Sequence, residues 1–570
     1  MSLARRCRLR AAALCRKLAL AIMIARNFAP LAVRHLPLAT AVALYGALTA
    51  IGAIQVWQAL GEPIYAIDDV HIHMAIARNL ALHGVYGVTP WETTHASSSP
   101  LWVLLLALGF ALVGPWYLLP GVLAAFSCIA VLLIANRILR ADAGAGFGDL
   151  AGRGFVLCLI VAGASLPPLT WQAMEHPLHA ALLLLAAWLG ANAVAQGRPE
   201  RWRDIALMLL CCALPALRYE SLWLTALLAA GMVWRRRYLM AAGLIAASAL
   251  SVCVIGFWAM GKGLTFLPVP ILAKSVAPML LSENSIVRLG AKLVWHPIWR
   301  LGQQPLLALL FISGGVYLGI MLWRLRLAAL QQAAIVLVAL FVAGTWLHAT
   351  FATFGWGSRY EAYLIVLGLC ALGAIALRLP RLLDARRGLH QAAGVLAGFA
   401  AALTLYTALG RAQATYVNAQ NASAEVLNRD FYAARFLAMA YPRESIMAMN
   451  IGAVVWAGEP HLLDPVALGT PAIMPMIFER RLTVETLAAL ARERNVRVFA
   501  IFDDWFAQWV GGPPPWVKVV TLETTIGRRS LTLSLYARDQ AEGRILAENL
   551  RKTDPSGRFS VKTKLLPAFE

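Results

Sequence analysis

The chain has 570 residues, 60% of them hydrophobic and only 14% charged, well below the roughly one quarter charged of an ordinary soluble protein. Many apolar runs approach the roughly 20 residues that cross a bilayer core, so the composition excludes a soluble enzyme and points to a polytopic membrane protein. The formal charge of +21 falls mostly in short arginine clusters between those runs, the positive-inside pattern of cytoplasmic loops rather than a nucleic-acid surface.

In chain order, residues 1–36 read as a basic cytoplasmic or interfacial N-terminus leading into an uncleaved first span at 37–60. Next comes AIDDVHIHMAIARNL at 66–80, with adjacent acids and two histidines at the membrane edge. Asp68 suits the N-cap of a helix from 69 to about 83, and Gly84 suits its left-handed stop. SPLWVLLLALGFALV at 99–113 is too short to cross comfortably and reads as an interfacial or re-entrant helix. A second span is expected at 116–138, and the runs at 204–217 and 222–234 are short for spans.

Placing Arg137, Arg140 and Arg153, then 197–203, 235–237, 324–326 and 378–387 in the cytoplasm gives one consistent path. It has about eleven spans, the N-terminus inside and the C-terminus outside. The membrane domain then covers 37–410. Residues 411–570 alternate short strand-like and amphipathic helix-like stretches, which suggests an external α/β domain. There, NRDFYAARFLAMAY and TVETLAALARERN read as helices, ESIMAMNIGAVVWAG and VRVFAIF as strands, and 516–539 as a closing hairpin. The eight cysteines lie in the N-terminus or in apolar runs and show neither metal nor disulfide spacing.

On this threading the membrane-edge polar residues gather on one side. They are Asp68, Asp69, His71 and His73, then Glu175, the pair Arg218 and Glu220, Lys274, and Arg359. Each alone has a bland reading as a cap, an ion pair or a snorkelling cation. Together they imply a shared polar cavity, because ionisable groups beside spans are costly unless paired or used. Asp69 with His73 and Asp68 with His71 have helical spacing, so each acid can meet an imidazole. Histidine and aspartate also ligate divalent ions, which leaves a bound cation as an open alternative, although adjacent acids do not converge as a closed ligand set would. No metal-ligand set is assigned.

IDDVHIHMAIARNLALHG, continuing to SSSPLWVLLLAL, resembles the first external loop of GT-C glycosyltransferases, polytopic enzymes that use polyprenyl-phosphate sugars. The likeness is to the branch of mycobacterial arabinofuranosyltransferases and related bacterial transferases. It continues in order through Met174-Glu175, Arg218 with Glu220, Leu267-Pro268 with Ala273-Lys274, and Ser358-Arg359-Tyr360. The resemblance implies an all-α membrane domain followed by an external α/β domain, in a bacterial inner membrane with the C-terminal domain in the periplasm. It implies inverting transfer of a sugar, arabinofuranose being one candidate, from a lipid-phosphate donor to a hydroxyl of a glycan, lipid or protein. Asp68 is then expected as the base, with Asp69 orienting the acceptor or holding a cation. Arg218, Lys274, Arg359 and His71 would bind the donor phosphate, and Glu175, Glu220, His73 and Tyr360 would line the substrates. The rival class is a transporter or flippase of a lipid-linked saccharide, which needs access from both faces and often shows paired half-repeats. None is visible in this sequence.

Overall fold

The computed structural model describes residues 33–142, 146–274, 286–382, 387–523, 532–553 and 562–569. Residues 1–32 of the expected N-terminal segment therefore lie outside the described residues, and 33–36 already belong to the first helix, Val33–Leu60. Seven helices are long and apolar enough to cross a membrane: Val33–Leu60, Leu119–Arg140, Phe147–Gln172, His176–Gln196, Tyr238–Gly261, Pro305–Gln331 and Ala333–Phe351. Shorter helices at Arg201–Leu217, Leu222–Trp234, Ile286–Gly302 and Ala362–Leu382 join the described bundle together with the 39-residue helix Arg387–Glu425. The molecule is thus a polytopic helical membrane protein. Leu157, Leu184, Leu224, Phe341 and Leu364 pack at the centre of the bundle, whereas Leu133, Ile245, Phe257 and Ile312 project outward, as side chains facing lipid do.

The C-terminal region builds one mixed six-stranded sheet in the order β2-β1-β3-β5-β4-β6. Its strands are β1 Ser445–Ala448, β2 His461–Leu463, β3 Val498–Phe502, β4 Val517–Glu523, β5 Leu533–Ala537 and β6 Lys562–Leu565. Strands β2, β1 and β3 run parallel, and β5, β4 and β6 add antiparallel pairs. The expected hairpin is β4 with β5, and TVETLAALARERN contains the helix Val484–Glu493.

Two expectations change. ESIMAMNIGAVVWAG is not one strand: β1 stops at Ala448, Asn450 takes a left-handed φ of 55°, and Gly452–Ala457 coils into a short helix. The composition change near 411 falls inside the helix Arg387–Glu425, which leads through a π-turn at Val426–Phe431 into the helix Tyr432–Ala440 before the first strand begins.

The helix Asp69–His83 ends as anticipated, with Gly84 at φ 69° and its N–H on Asn79 and Leu80. It lies between the bundle and the sheet, and nine of its residues are buried. Pro100–Val113 packs beside it through Trp102, Leu106 and Phe110, while Leu104, Leu108 and Leu112 stay exposed. One continuous core joins Val70, Met74, Trp102, Phe110, Phe436, Val454 and Phe499, so helix and sheet form a single packed unit.

Candidate functional site

The polar residues converge at the end of the bundle that carries the sheet. In the helix Asp69–His83, residues 69 and 73 lie about 40° apart around the axis, whereas residue 71 lies about 200° from 69. Asp69 and His73 therefore face the bundle, and His71 faces elsewhere. Asp69 Oδ2 accepts a hydrogen bond from Arg359 Nη2 at 2.6 Å, and its side chain remains 38% exposed while Arg359 is 2% exposed. His73 Nδ1 stands 4.0 Å from Glu175 Oε2, and its Nε2 stands 3.3 Å from Ser97 Oγ.

Glu175 occupies the turn between Phe147–Gln172 and His176–Gln196, where Ala173 takes a left-handed φ of 52°. It is fully buried and accepts from Arg218 Nη1 at 3.0 Å. Arg218 then spends its other edge on Glu220, with Nη2 at 2.5 Å from Oε1 and Nε at 3.2 Å from Oε2. Burial by itself would raise both carboxyls, but the Arg218 charge outweighs it and holds Glu220 at about 2 and Glu175 below its ordinary value. Both guanidiniums also stand over the Tyr360 ring, Arg218 at 4.9 Å and Arg359 at 5.2 Å from its centroid. His176 stacks on the same ring at 5.6 Å.

Arg359 is held in place by its own loop. Gly355, Trp356, Gly357 and Ser358 all have positive φ, and four anchors tie the loop down. Gln172 Nε2 donates to the Gly357 carbonyl at 2.7 Å and Arg411 Nη2 to the Ser358 carbonyl at 2.8 Å, while Glu361 accepts from the Gly355 N–H at 2.9 Å. The Thr415 hydroxyl reaches Ser358 Oγ at 3.0 Å. A cavity of about 440 Å³ opens beside this group, lined at its polar end by Arg218, Glu220, His348 and Tyr360 and elsewhere by Leu222, Trp223, Ile271, Leu347 and Phe351.

Not every expected residue joins the cluster. Asp68 is 6% exposed, and both of its carboxylate oxygens face the sheet region. Oδ2 accepts from the Gly452 N–H at 2.7 Å and Oδ1 from the Ala453 N–H at 2.8 Å. Burial and the nearby Asp430 push its carboxyl above the usual range against those two amides. His71 is fully buried, with Nε2 3.0 Å from the Tyr117 hydroxyl and its ring edge-on to Phe431. Burial drives its pKa down to about 3, so it is neutral and offers no charge to a phosphate. Arg218, enclosed by two carboxylates, has little positive charge left for an anion. Lys274 closes the short helix Val269–Lys274, and its side chain lies outside the described residues. Among the described residues, no group of three or more His, Cys, Asp or Glu side chains converges as metal ligands would.

Several contributors were not singled out from sequence: Arg411, His176, His348, Ser97 and the Gly452-Ala453 amides. Arg411 is a lone cation just past an apolar run, a recognisable signal. The amides carry none, because any residue has a backbone N–H.

Helical bundle and sheet together define the class: this is a polytopic helical membrane protein with a mixed sheet at one end, a fold it shares with a solved membrane protein. The crystal structure of ArnT from Cupriavidus metallidurans bound to undecaprenyl phosphate superposes with a TM-score of 0.50 at 14% identity, covering 88% of this chain and 98% of that one. An oligosaccharyltransferase of Archaeoglobus fulgidus in the apo form gives 0.46 at 13% identity, covering 88% and 74%. No protein-family model and no curated protein matches the sequence.

Proposed function

We propose that the protein is an integral-membrane glycosyltransferase. It moves a sugar from a polyprenyl-phosphate donor to an acceptor hydroxyl on the outer face of a bacterial inner membrane, with inversion. The observation that carries this reading is the Asp69–Arg359 pair at 2.6 Å, a part-exposed carboxylate beside a guanidinium, connected through Tyr360 to an apolar cavity. A lipid phosphate needs an apolar channel for its chain and a cation for its head, and the attacking hydroxyl needs a base.

In this reading Asp69 is the base and Asp68 is not, since both Asp68 oxygens already accept backbone N–H groups. Asp69 takes the acceptor proton while the acceptor oxygen bonds to the anomeric carbon from the side opposite the donor phosphate. The bond from that carbon to the phosphate oxygen breaks, and polyprenyl phosphate leaves with the electron pair. Arg359 touches Asp69 and receives the departing charge.

The electrostatics call for one more cation. Asp69, Glu175 and Glu220 set three carboxylates against two guanidiniums, Arg218 and Arg359, so an anionic donor gains from a further cation. Lys274, on the helix whose Pro270 and Ile271 line the cavity, is proposed to supply it. The ArnT crystal structure holds undecaprenyl phosphate, and the shared fold supports the same class of donor here. The resemblance to arabinofuranosyltransferases makes arabinofuranose the first sugar to test.

Mass spectrometry of lipids extracted from a deletion strain and from wild type tests the reading. Accumulation of one polyprenyl-phosphate sugar in the deletion strain supports it and names the donor. Unchanged lipid-linked sugars together with an unchanged envelope glycan would contradict it.

A further inference from the structure

The segment that holds Asp68 also holds the far end of the same helix. Asp68 receives the N–H groups of Gly452 and Ala453 at 2.7 and 2.8 Å. Further along the helix, Arg78 donates from Nη1 to the Trp456 carbonyl and from Nη2 to the Val455 carbonyl, both at 2.9 Å. Its guanidinium also lies over the Trp456 ring at 5.3 Å. Residues 452–456 therefore lie along the helix like a splint, with a carboxylate gripping amides at one end and a guanidinium gripping carbonyls at the other.

The fit at the Asp68 end leaves no slack. A Cβ added to Gly452 would stand 2.2 Å from the Asp68 carbonyl oxygen and 2.6 Å from Oδ2. Behind the contact, Asn450 is left-handed at φ 55° and donates to Asp430 Oδ2 at 3.0 Å, and Asp430 is paired in turn with Arg429 at 2.9 Å. These contacts run between the helix and residues 429–456, and none of their side chains lines the cavity.

Rotation about the helix axis is the coordinate such a splint restrains. An atom at the outer radius of a helix moves by about 1 Å for a rotation of roughly 10°. Misplacing a catalytic group by that distance can cost on the order of 10²-fold in rate. Asp69 is the next residue after Asp68, so whatever fixes the azimuth of one fixes the other.

We propose that Asp68 is a positioning residue: with Arg78 it locks residues 452–456 onto the helix Asp69–His83 and sets the rotation that presents Asp69 to the acceptor. The α/β region is on this account a structural part of the active site. The inference rests on reading Asp69 as the base, and that reading is tested separately by Asp69→Asn.

The experiment is a double-mutant cycle in the full-length protein with Asp68→Asn and Gly452→Ala, reading kcat, donor KM, the pH profile of kcat and Tm. Asn puts an N–H donor against one of the two amides, and Ala pushes the same contact apart from its other side. Each single variant is expected to lower kcat by about 10²-fold with donor KM nearly unchanged. The double variant is expected to be no worse than the poorer single, and the acidic limb of the pH profile to stay in place. Arg78→Gln, which releases the other end of the splint, is expected to lower kcat in the same direction, so the test survives if Asp68→Asn does not fold. A Gly452→Ala or Arg78→Gln protein with wild-type kcat would overturn the proposal, because the splint would then not set the position of Asp69. Loss of the acidic limb in Asp68→Asn alone would overturn it too, because that result makes Asp68 the base itself. Full activity in Asp69→Asn would instead overturn the assignment of the base.

Discussion

Burial alone would raise the Glu220 carboxyl, but the charge of Arg218 and the two hydrogen bonds it donates outweigh that effect. The carboxyl is held at about 2 in the fold against an ordinary value of 4.5. A depressed carboxylate contributes stability that is fully present above the unfolded pKa and is lost as pH falls through the folded one. The window is therefore about pH 4.5 down to about 2, and the contribution is about 3 kcal/mol. The Tm of Glu220→Gln should fall less steeply than that of wild type between about pH 5 and about pH 3. Equal slopes would place the acid sensitivity at other groups. The Arg218–Glu220 pair was legible in the sequence because its members stand two residues apart. Glu175 as the third member was not, since it comes from another turn 43 residues away. The aspartates show the same limit. Sequence put both at the membrane edge, but the groups that bind Asp68 lie 384 and 385 residues further on. The role of His71 was within reach, because helical periodicity alone separates it from Asp69 and His73.

At the scale of elements, the loop Gly355–Ser358 decides where Arg359 points. Gly357 has φ 74°, and a Cβ there would lie 2.6 Å from Gln172 Nε2, so the position requires glycine. The loop's main brace comes from the helix Arg387–Glu425. Arg411 Nη2 reaches the Ser358 carbonyl and Glu361 Oε1 at 2.8 and 2.7 Å, and Arg411 Nε reaches the Gly163 carbonyl at 3.0 Å. Glu361 is fully buried, so Arg411→Met leaves a carboxylate in the interior without this partner. Breaking a buried pair from one side costs about 3–5 kcal/mol. Arg411→Met should lower Tm by several degrees and raise donor KM, because the loop that presents Arg359 is loosened. Tm and KM both at wild-type values would show that the other anchors suffice. Apolar run lengths made most helices legible, but this loop's four left-handed residues were not. Glycine signals permission for positive φ, whereas Trp356 and Ser358 adopt it only because tertiary anchors hold them there. The expected long strand after Glu444 failed for the same reason: Asn450 turns the chain, and Gly452 must approach Asp68 more closely than a side chain allows.

For the whole molecule, hydropathy and fold agree on a multi-pass protein, and the arginine clusters propose its orientation. Reporter fusions after residues 150, 236 and 385 should report cytoplasm, and fusions near 92, 280 and 430 should report the outer compartment. A cytoplasmic signal at 430 would put the sheet, and with it the polar cluster, on the side opposite the one proposed. Fold class was readable from composition and periodicity, since both reflect solvent. The docking of sheet on helix was not, because Phe436, Val454 and Phe499 look like the core of a separate domain until Val70 and Met74 are seen packed among them.

The central claim is that Asp69 performs the chemistry. Its most direct test is a transfer assay with purified protein in lipid vesicles, a polyprenyl-phosphate sugar donor and an acceptor glycan, following released polyprenyl phosphate for wild type and Asp69→Asn. Asn keeps the shape and an oxygen to accept from Arg359 but removes the basic carboxylate, so turnover should fall by roughly 10²–10⁴-fold while donor binding persists, with a Tm lowered by the lost charge on the Asp69–Arg359 pair. An Asp69→Asn protein that is folded, binds donor and turns over at the wild-type rate would contradict the account.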